Sequence, residues 1–248
     1  MHTYLKEVED YLKSLAPSEF TPSTERIYRI GLSVPTVRKS LKHPFSFGVL
    51  SGAEQLAIWD FIWTQSFCYE AMSLCLYRYQ YKTLAKYEFG VIVQWVTRCN
   101  CWEDSDNLSK IYAQVLEDHT HWILPTLKVW NRSDFSWERR QSVVSLLEYA
   151  HKRKRVLPFA ELIAFVEPLL EDENYYVQKG VGWTLREIYN VYPEATLTFL
   201  ENHLGRLSSQ AYSSATEKID PAQKQCFNQQ RKALRQQRKA LQKKAQAD

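Results

Sequence analysis

In "CWEDSDNLSK" (101–110) an indole, Trp102, stands four residues before a carboxylate, Asp106, in a stretch that otherwise reads as the start of a helix. At that spacing two side chains project together from a helix. An indole face and a carboxylate both interact favourably with positive charge. Two further positions join them as candidates for chemistry: Arg140 in "WERRQSVVSLLE" and Trp183 in "GVGWTLRE". Gly180 and Gly182 read as one face just ahead of Trp183, where missing side chains let the helix pack closely or admit a group near its backbone. Residue types alone also allow a plainer account. Tryptophans at helical spacing are commonly core rings, Asp106 would then favour the positive end of a helix dipole, and Arg140 would be its surface partner.

Other chemistries lack their signatures. No GxxxxGK[ST], GxGxxG, HExxH or GxSxG occurs, so common nucleotide-binding, zinc-protease and hydrolase sites are not indicated. His119 and His121 diverge at i, i+2 on a helix and do not make a metal pair. The five cysteines, Cys68, Cys75, Cys99, Cys101 and Cys226, lack paired CxxC spacing and suggest neither a disulfide framework nor structural zinc. Neither a metal nor a cofactor is expected.

The elements that must hold these residues read as helices. Only seven glycines occur in 248 residues, too few to supply many tight hairpins. Apolar residues recur at helical spacing through "EQLAIWDFIWTQ", "EFGVIVQWVTRC", "RRQSVVSLLEYA" and "GVGWTLREIYNVY". The pattern predicts about ten helices and no strand, with the β-branched "GVIVQWV" as buried helix. Aromatics make up 14% of the chain, an excess of rings that a core or a binding face must absorb. Two segments match at a period of 39 residues, "SDFSWERRQSVVSLLE" (133–148) and "DENYYVQKGVGWTLRE" (172–187). Trp137 then meets Tyr176, Arg140 meets Lys179 and Glu148 meets Glu187. A unit of that size is close to the ~40–47-residue helical hairpin of HEAT repeats.

The expectation is therefore an all-α fold of HEAT-like helical hairpins, stacked in a curved solenoid with a concave basic groove. Equivalent positions of successive repeats would line that groove. Arg139, Arg140, Lys179 and Arg186 are the candidates for a polyanion-binding surface, with Lys152, Arg153 and Lys154 of "HKRKR" in a loop beside it. The plainer reading makes them solvated helix ends. Residues 1–218 read as one repeat domain carrying 24 basic and 26 acidic residues, and 219–248 as a basic tail with eight Lys/Arg against Asp220 and Asp248. Phe227, Leu234 and Leu241 fall at heptad spacing in that tail. It reads either as a helix that supplements polyanion binding or as a frayed, solubilising extension.

The chain resembles the AlkD-like DNA alkylation repair proteins, HEAT-like-repeat alkylpurine DNA glycosylases. The resemblance runs from "YRIGLSVPTVRK" (28–39), through "CWEDSD" and "NRSDFSWERRQSVV", to "YYVQKGVGWTLREIYNVYPE" (175–194). It implies a site made of Trp102 and Asp106 in a W-x-x-x-D pattern, Arg140 opening a later helix after a Trp, and Trp183 in a QKAxGWxLRE-like helix. It implies hydrolysis of the N-glycosidic bond of cationic N3- or N7-alkylated purines in double-stranded DNA, with the lesion left in the stack, unlike the base-flipping route. Cys101, before Trp102, departs from the family's second aromatic, and "HKRKRVLPF" is longer than the family's linker.

Two other functions fit the same residues: a non-catalytic module that binds distorted or branched DNA, and a HEAT-type protein scaffold. No apolar run reaches the ~18 residues of a membrane span, and "MHTYLKEVEDYLKSL" is acidic and amphipathic rather than signal-like. A cytoplasmic monomer without membrane contact is the corresponding expectation.

Overall fold

The computed structural model describes residues 1–16 and 27–245, with side chains through Arg238 and at Ala240. Among the described residues there are thirteen α-helices, five short 3-10 segments and no strand beyond one isolated bridge, Tyr28 to Cys68. The helices outnumber the ten expected because short ones, such as Ser209–Ala215, carry too few residues to show a periodicity. Contacts cluster into two compact units, Met1–Thr120 and His121–Asp248.

The first unit holds α1 (His2–Ser14), α2 (Val34–Lys39), α3 (Gly52–Gln65), α4 (Tyr69–Tyr79), α5 (Lys86–Ile92) and α6 (Trp102–Asp118). Local signals start several of them. Ser51 and Glu54 form a reciprocal capping box on α3, and Ser33 caps α2 ahead of Pro35 in its first turn. α4 is buried along nearly its whole length. The "GVIVQWV" stretch is helical, ending α5 and continuing as a 3-10 segment over Val93–Arg98 with Val93, Trp95 and Val96 buried. Much of the aromatic excess goes into this core. Trp63 stacks on Trp95 at 5.7 Å and donates to the Trp95 carbonyl at 3.2 Å, while Trp95 Nε1 donates to Asp60. Tyr112 of α6 donates to the Ile92 carbonyl and ties α6 to that layer. The buried Glu70 accepts from the Ile30 and Gly31 amides, where Gly31 takes φ +86°, a conformation that favours glycine.

The second unit contains α7 (Thr120–Trp130, its first residue at the boundary), α8 (Ser136–Val144), α9 (Phe159–Val166), α10 (Tyr175–Tyr189), α11 (Pro193–His203), α12 (Ser209–Ala215) and α13 (Pro221–Ala245). The two sequence repeats are α8 and α10. They pack side by side in the register that the 39-residue period predicts, with Trp137 stacked on Tyr176 at 5.1 Å. The matched acids Glu148 and Glu187 are both buried. Glu187 accepts from the Ala150 amide of the loop after the preceding repeat.

Gly180 and Gly182 face different neighbours, not one. A Cβ on Gly180 would meet Arg140 and Val144 of α8, whereas one on Gly182 would meet the α12 backbone. The physical reason is the helical period: two residues subtend about 200°, so i and i+2 point to opposite sides. Residues 221–245 form α13 and belong to the second unit. Phe227 is fully buried and anchors the first half of that helix. The side chain of Leu241, the last of the three heptad positions, lies outside the described residues.

Candidate active site

Trp102 is the first residue of α6, and Asp106 follows one turn later on the same face. Of the eight tryptophans, all described, only Trp102 is exposed, at 49%. The core-ring account therefore does not hold for it. An indole left half in water forgoes the roughly 25 cal/mol per Å² that burial of its apolar surface would contribute. Asp106 is half-buried.

The neighbouring acids do other work. Glu103 pairs with Arg29 at 3.1 Å, and the Arg29 guanidinium lies 3.7 Å over the Tyr69 ring. That chain of contacts ties the first turn of α6 to Arg29 and Tyr69. Asp104 is 1% exposed, its Oδ1 has no partner among the described residues, and its other oxygen accepts weakly from the Asn100 amide at 3.5 Å. Burial pushes its carboxyl up to about 6 against the hydrogen bonds from Cys101 and Asn100. A carboxyl whose pKa is higher folded than unfolded costs nothing while both states are protonated. Its penalty therefore grows as pH rises from about 4 to about 6 and stays constant above that. Asp104→Asn should stabilise the protein at pH ~7.5 by about 3 kcal/mol and change little at pH ~4. Urea melts at the two pH values check this; an equal effect at both would overturn the assignment.

In the second unit Arg140 and Trp183 stand on the neighbouring helices α8 and α10. Arg140 is only 4% exposed. Its Nη1 donates to the Tyr176 carbonyl at 2.6 Å, and its stem packs against Gly180. Tyr176, Gly180 and Trp183 fall at i, i+4 and i+7 on one face of α10. Asn174 starts that helix by accepting from the Tyr176 and Val177 amides. Trp183 is half-buried, meets Tyr149 edge-on at 5.5 Å, and has a buried Nε1 with no partner among the described residues. Tyr149 is a site neighbour that spacing did not single out; its only signal is an aromatic placed just before the basic run "HKRKR".

The basic candidates separate by type. Arg139 spends four of its five N–H donors inside the fold, two on Asp172 and one each on the Ser133 and Asp134 carbonyls. Arg186 pairs with Glu217 at 2.6 Å and Glu187 at 3.3 Å, and the buried Arg153 side chain lies 3.7 Å from Glu148. The lysines point outward. Lys179, Lys152 and Lys154 are exposed, Lys152 lying 3.7 Å from Glu148 and 4.6 Å over the Tyr149 ring. The planar guanidinium fork suits bidentate internal pairing, and the ammonium on its flexible stem suits solvent. Among the described residues no cluster of three His, Cys, Asp or Glu could hold a metal ion, and no helix is long and apolar enough to cross a membrane.

No curated protein matches the chain. Solved structures do. AlkD2 from Streptococcus mutans is 22% identical with a TM-score of 0.57, covering 86% of this chain and 99% of its own. The protein smu.31 from Streptococcus mutans UA159 is 20% identical with a TM-score of 0.58, covering 88% and 100%. A "predicted DNA alkylation repair enzyme" from Enterococcus faecalis is 16% identical with a TM-score of 0.65, covering 88% and 96%. At those identities they are alike in fold, and the fold is that of the AlkD-type helical-repeat proteins. Residues 3–219 match the family described as DNA alkylation repair enzyme. A half-exposed indole one turn from a carboxylate, set in a helical-repeat fold, thus stands in a chain that belongs to the DNA alkylation repair enzyme family.

Proposed function

We propose that the protein is a DNA glycosylase, acting as a cytoplasmic monomer without metal or cofactor. It hydrolyses the N-glycosidic bond of cationic N3- or N7-alkylated purines in double-stranded DNA without flipping the base. The observation that carries this reading is Trp102, a half-exposed indole one helical turn from Asp106 in a chain whose other seven tryptophans are buried or half-buried. An alkylated purine already bears positive charge. When the C1′–N bond breaks, its electron pair neutralises the ring, so the base leaves without needing a proton. Positive charge then develops on the deoxyribose. The Asp106 carboxylate stabilises that charge and positions the water, whose oxygen bonds to C1′ as one of its protons passes to the carboxylate. The indoles of Trp102 and Trp183 contact the sugar and attract the cation. Arg140 holds a phosphate next to the lesion, and the exposed Lys152, Lys154 and Lys179 add backbone contacts.

The test is release of N7-methylguanine or N3-methyladenine from alkylated duplex, run beside a binding titration at two salt concentrations. The reading expects release well above the spontaneous rate. Salt-steep binding without release would leave a non-catalytic module for distorted or branched DNA. Absence of both would leave a protein scaffold.

A further inference from the structure

Within the second unit, a second concentration of polar groups lies away from Arg140 and Trp183. α12 packs against α10 through Gly182 and frames, with α13, a cleft of about 490 Å³. Ser209, Tyr212, Asn228, Arg231, Lys232 and Arg235 line it, and among the described residues no carboxylate does.

Arg231 is its centre. The residue is 6% exposed, its guanidinium lies 4.1 Å over the Tyr212 ring, and Nη2 donates to the Leu207 carbonyl at 3.0 Å. Nη1 is buried and has no acceptor among the described residues. Lys232, next to it in the chain, and Arg235, one turn on along α13, are exposed, and Arg235 donates to the Ser209 hydroxyl at 3.3 Å. The Tyr212 hydroxyl donates to Asn228 Oδ1 at 2.8 Å, which orients the Asn228 amide and leaves its NH₂ as a donor. Burial, reinforced by Arg235, pulls the Arg231 guanidinium below its usual range.

A buried guanidinium with an unmet donor is costly. Two more cations beside it raise that cost, and a dianion would relieve both. Three cations and a neutral amide donor converging on one cleft match an anion with several oxygens better than a single carboxylate. From the unmet Arg231 donor and this cationic lining we infer that the α12–α13 cleft binds a phosphate group. The phosphate belongs either to a nucleic-acid backbone or to a free phosphate compound. The inference does not depend on the glycosylase reading.

The experiment titrates inorganic phosphate into the full chain by calorimetry and measures binding of an unmodified duplex across salt concentrations. The variants are Lys232→Gln/Arg235→Gln, both exposed positions, and Arg231→Gln, each checked for wild-type melting; Asp106→Asn serves as control. The double variant should weaken phosphate binding about tenfold or more, while Asp106→Asn leaves it unchanged. If the duplex supplies the phosphate, the slope of log affinity against log salt also falls by about one in the double variant. If a free compound supplies it, phosphate binding falls and the duplex slope stays. No phosphate heat in the wild type at ~10 mM, or wild-type phosphate affinity in the double variant, overturns the site. Base release is scored separately, so its absence would remove the glycosylase reading and leave the phosphate result standing.

Discussion

Asp106→Asn should cut base release from alkylated duplex by about 10²–10³-fold while duplex affinity stays within about twofold of wild type. The substitution keeps the shape and removes the charge. A half-buried carboxylate facing a developing cation contributes on the order of 3–4 kcal/mol, by analogy with a lost oxyanion-hole donor. An indole contributes about 0.5–2 kcal/mol through its π face. Trp102→Ala should therefore slow release by only about tenfold, and because Trp102 is exposed its loss opens no core cavity. Arg140→Ala is a poorer test. The residue is buried against Gly180 and donates to Tyr176, so its removal would disturb α8–α10 packing as well as any grip on phosphate. Single-turnover release of N7-methylguanine and duplex anisotropy on one preparation separate rate from binding. Wild-type-like release by Asp106→Asn would sink the proposed mechanism.

The relation between Trp102 and Asp106 was legible because it depends only on the helical period, and α6 begins at Trp102. The all-α class was legible from glycine scarcity and apolar spacing. The 39-residue repeat was legible as well, down to the pairing of Trp137 with Tyr176. What could not be read depends on partners distant in the chain. Nothing local distinguishes Trp102 from Trp63; one stands half-exposed at the start of α6 and the other is buried against Trp95, 32 positions away. Arg139 and Lys179 look alike as basic residues near helix starts. Yet Arg139 is held by Asp172, 33 positions away, and Lys179 is exposed. The same holds for the C-terminal segment. Its sparse apolar residues suggest fraying, but Phe227 is wholly buried and Arg231 stacks on Tyr212 of α12. Asp104 is a further case: nothing in the spacing of "CWEDSD" marks this acid as covered, and it is 1% exposed.

Gly182→Val should destabilise the protein by about 3 kcal/mol, whereas Gly180→Ala should be close to neutral. The two glycines are two residues apart on α10 and differ in what stands opposite. A Cβ on Gly182 would lie 2.5 Å from the Ala211 carbonyl oxygen and 2.9 Å from Ala211 Cα, both backbone atoms of α12. Backbone cannot step aside, so α10 and α12 must separate. A Cβ on Gly180 would meet only side-chain atoms, of Arg140 and Val144, at 3.2 Å. Those atoms can yield by a few tenths of an ångström, and alanine recovers roughly 1 kcal/mol of helix propensity over glycine. Valine at 182 gains little of that propensity, since its branched Cβ is restrained in a helix. The clash then dominates, at the ~1–3 kcal/mol typical of overpacking and towards its upper end. Trp183 follows immediately on α10, so the same substitution should move its indole off Tyr149 and shift the tryptophan fluorescence before unfolding begins. Urea denaturation of both variants decides the point. A Gly182→Val protein within ~1 kcal/mol of wild type would mean that α12 gives way to α10 more readily than backbone contact at 2.5 Å allows.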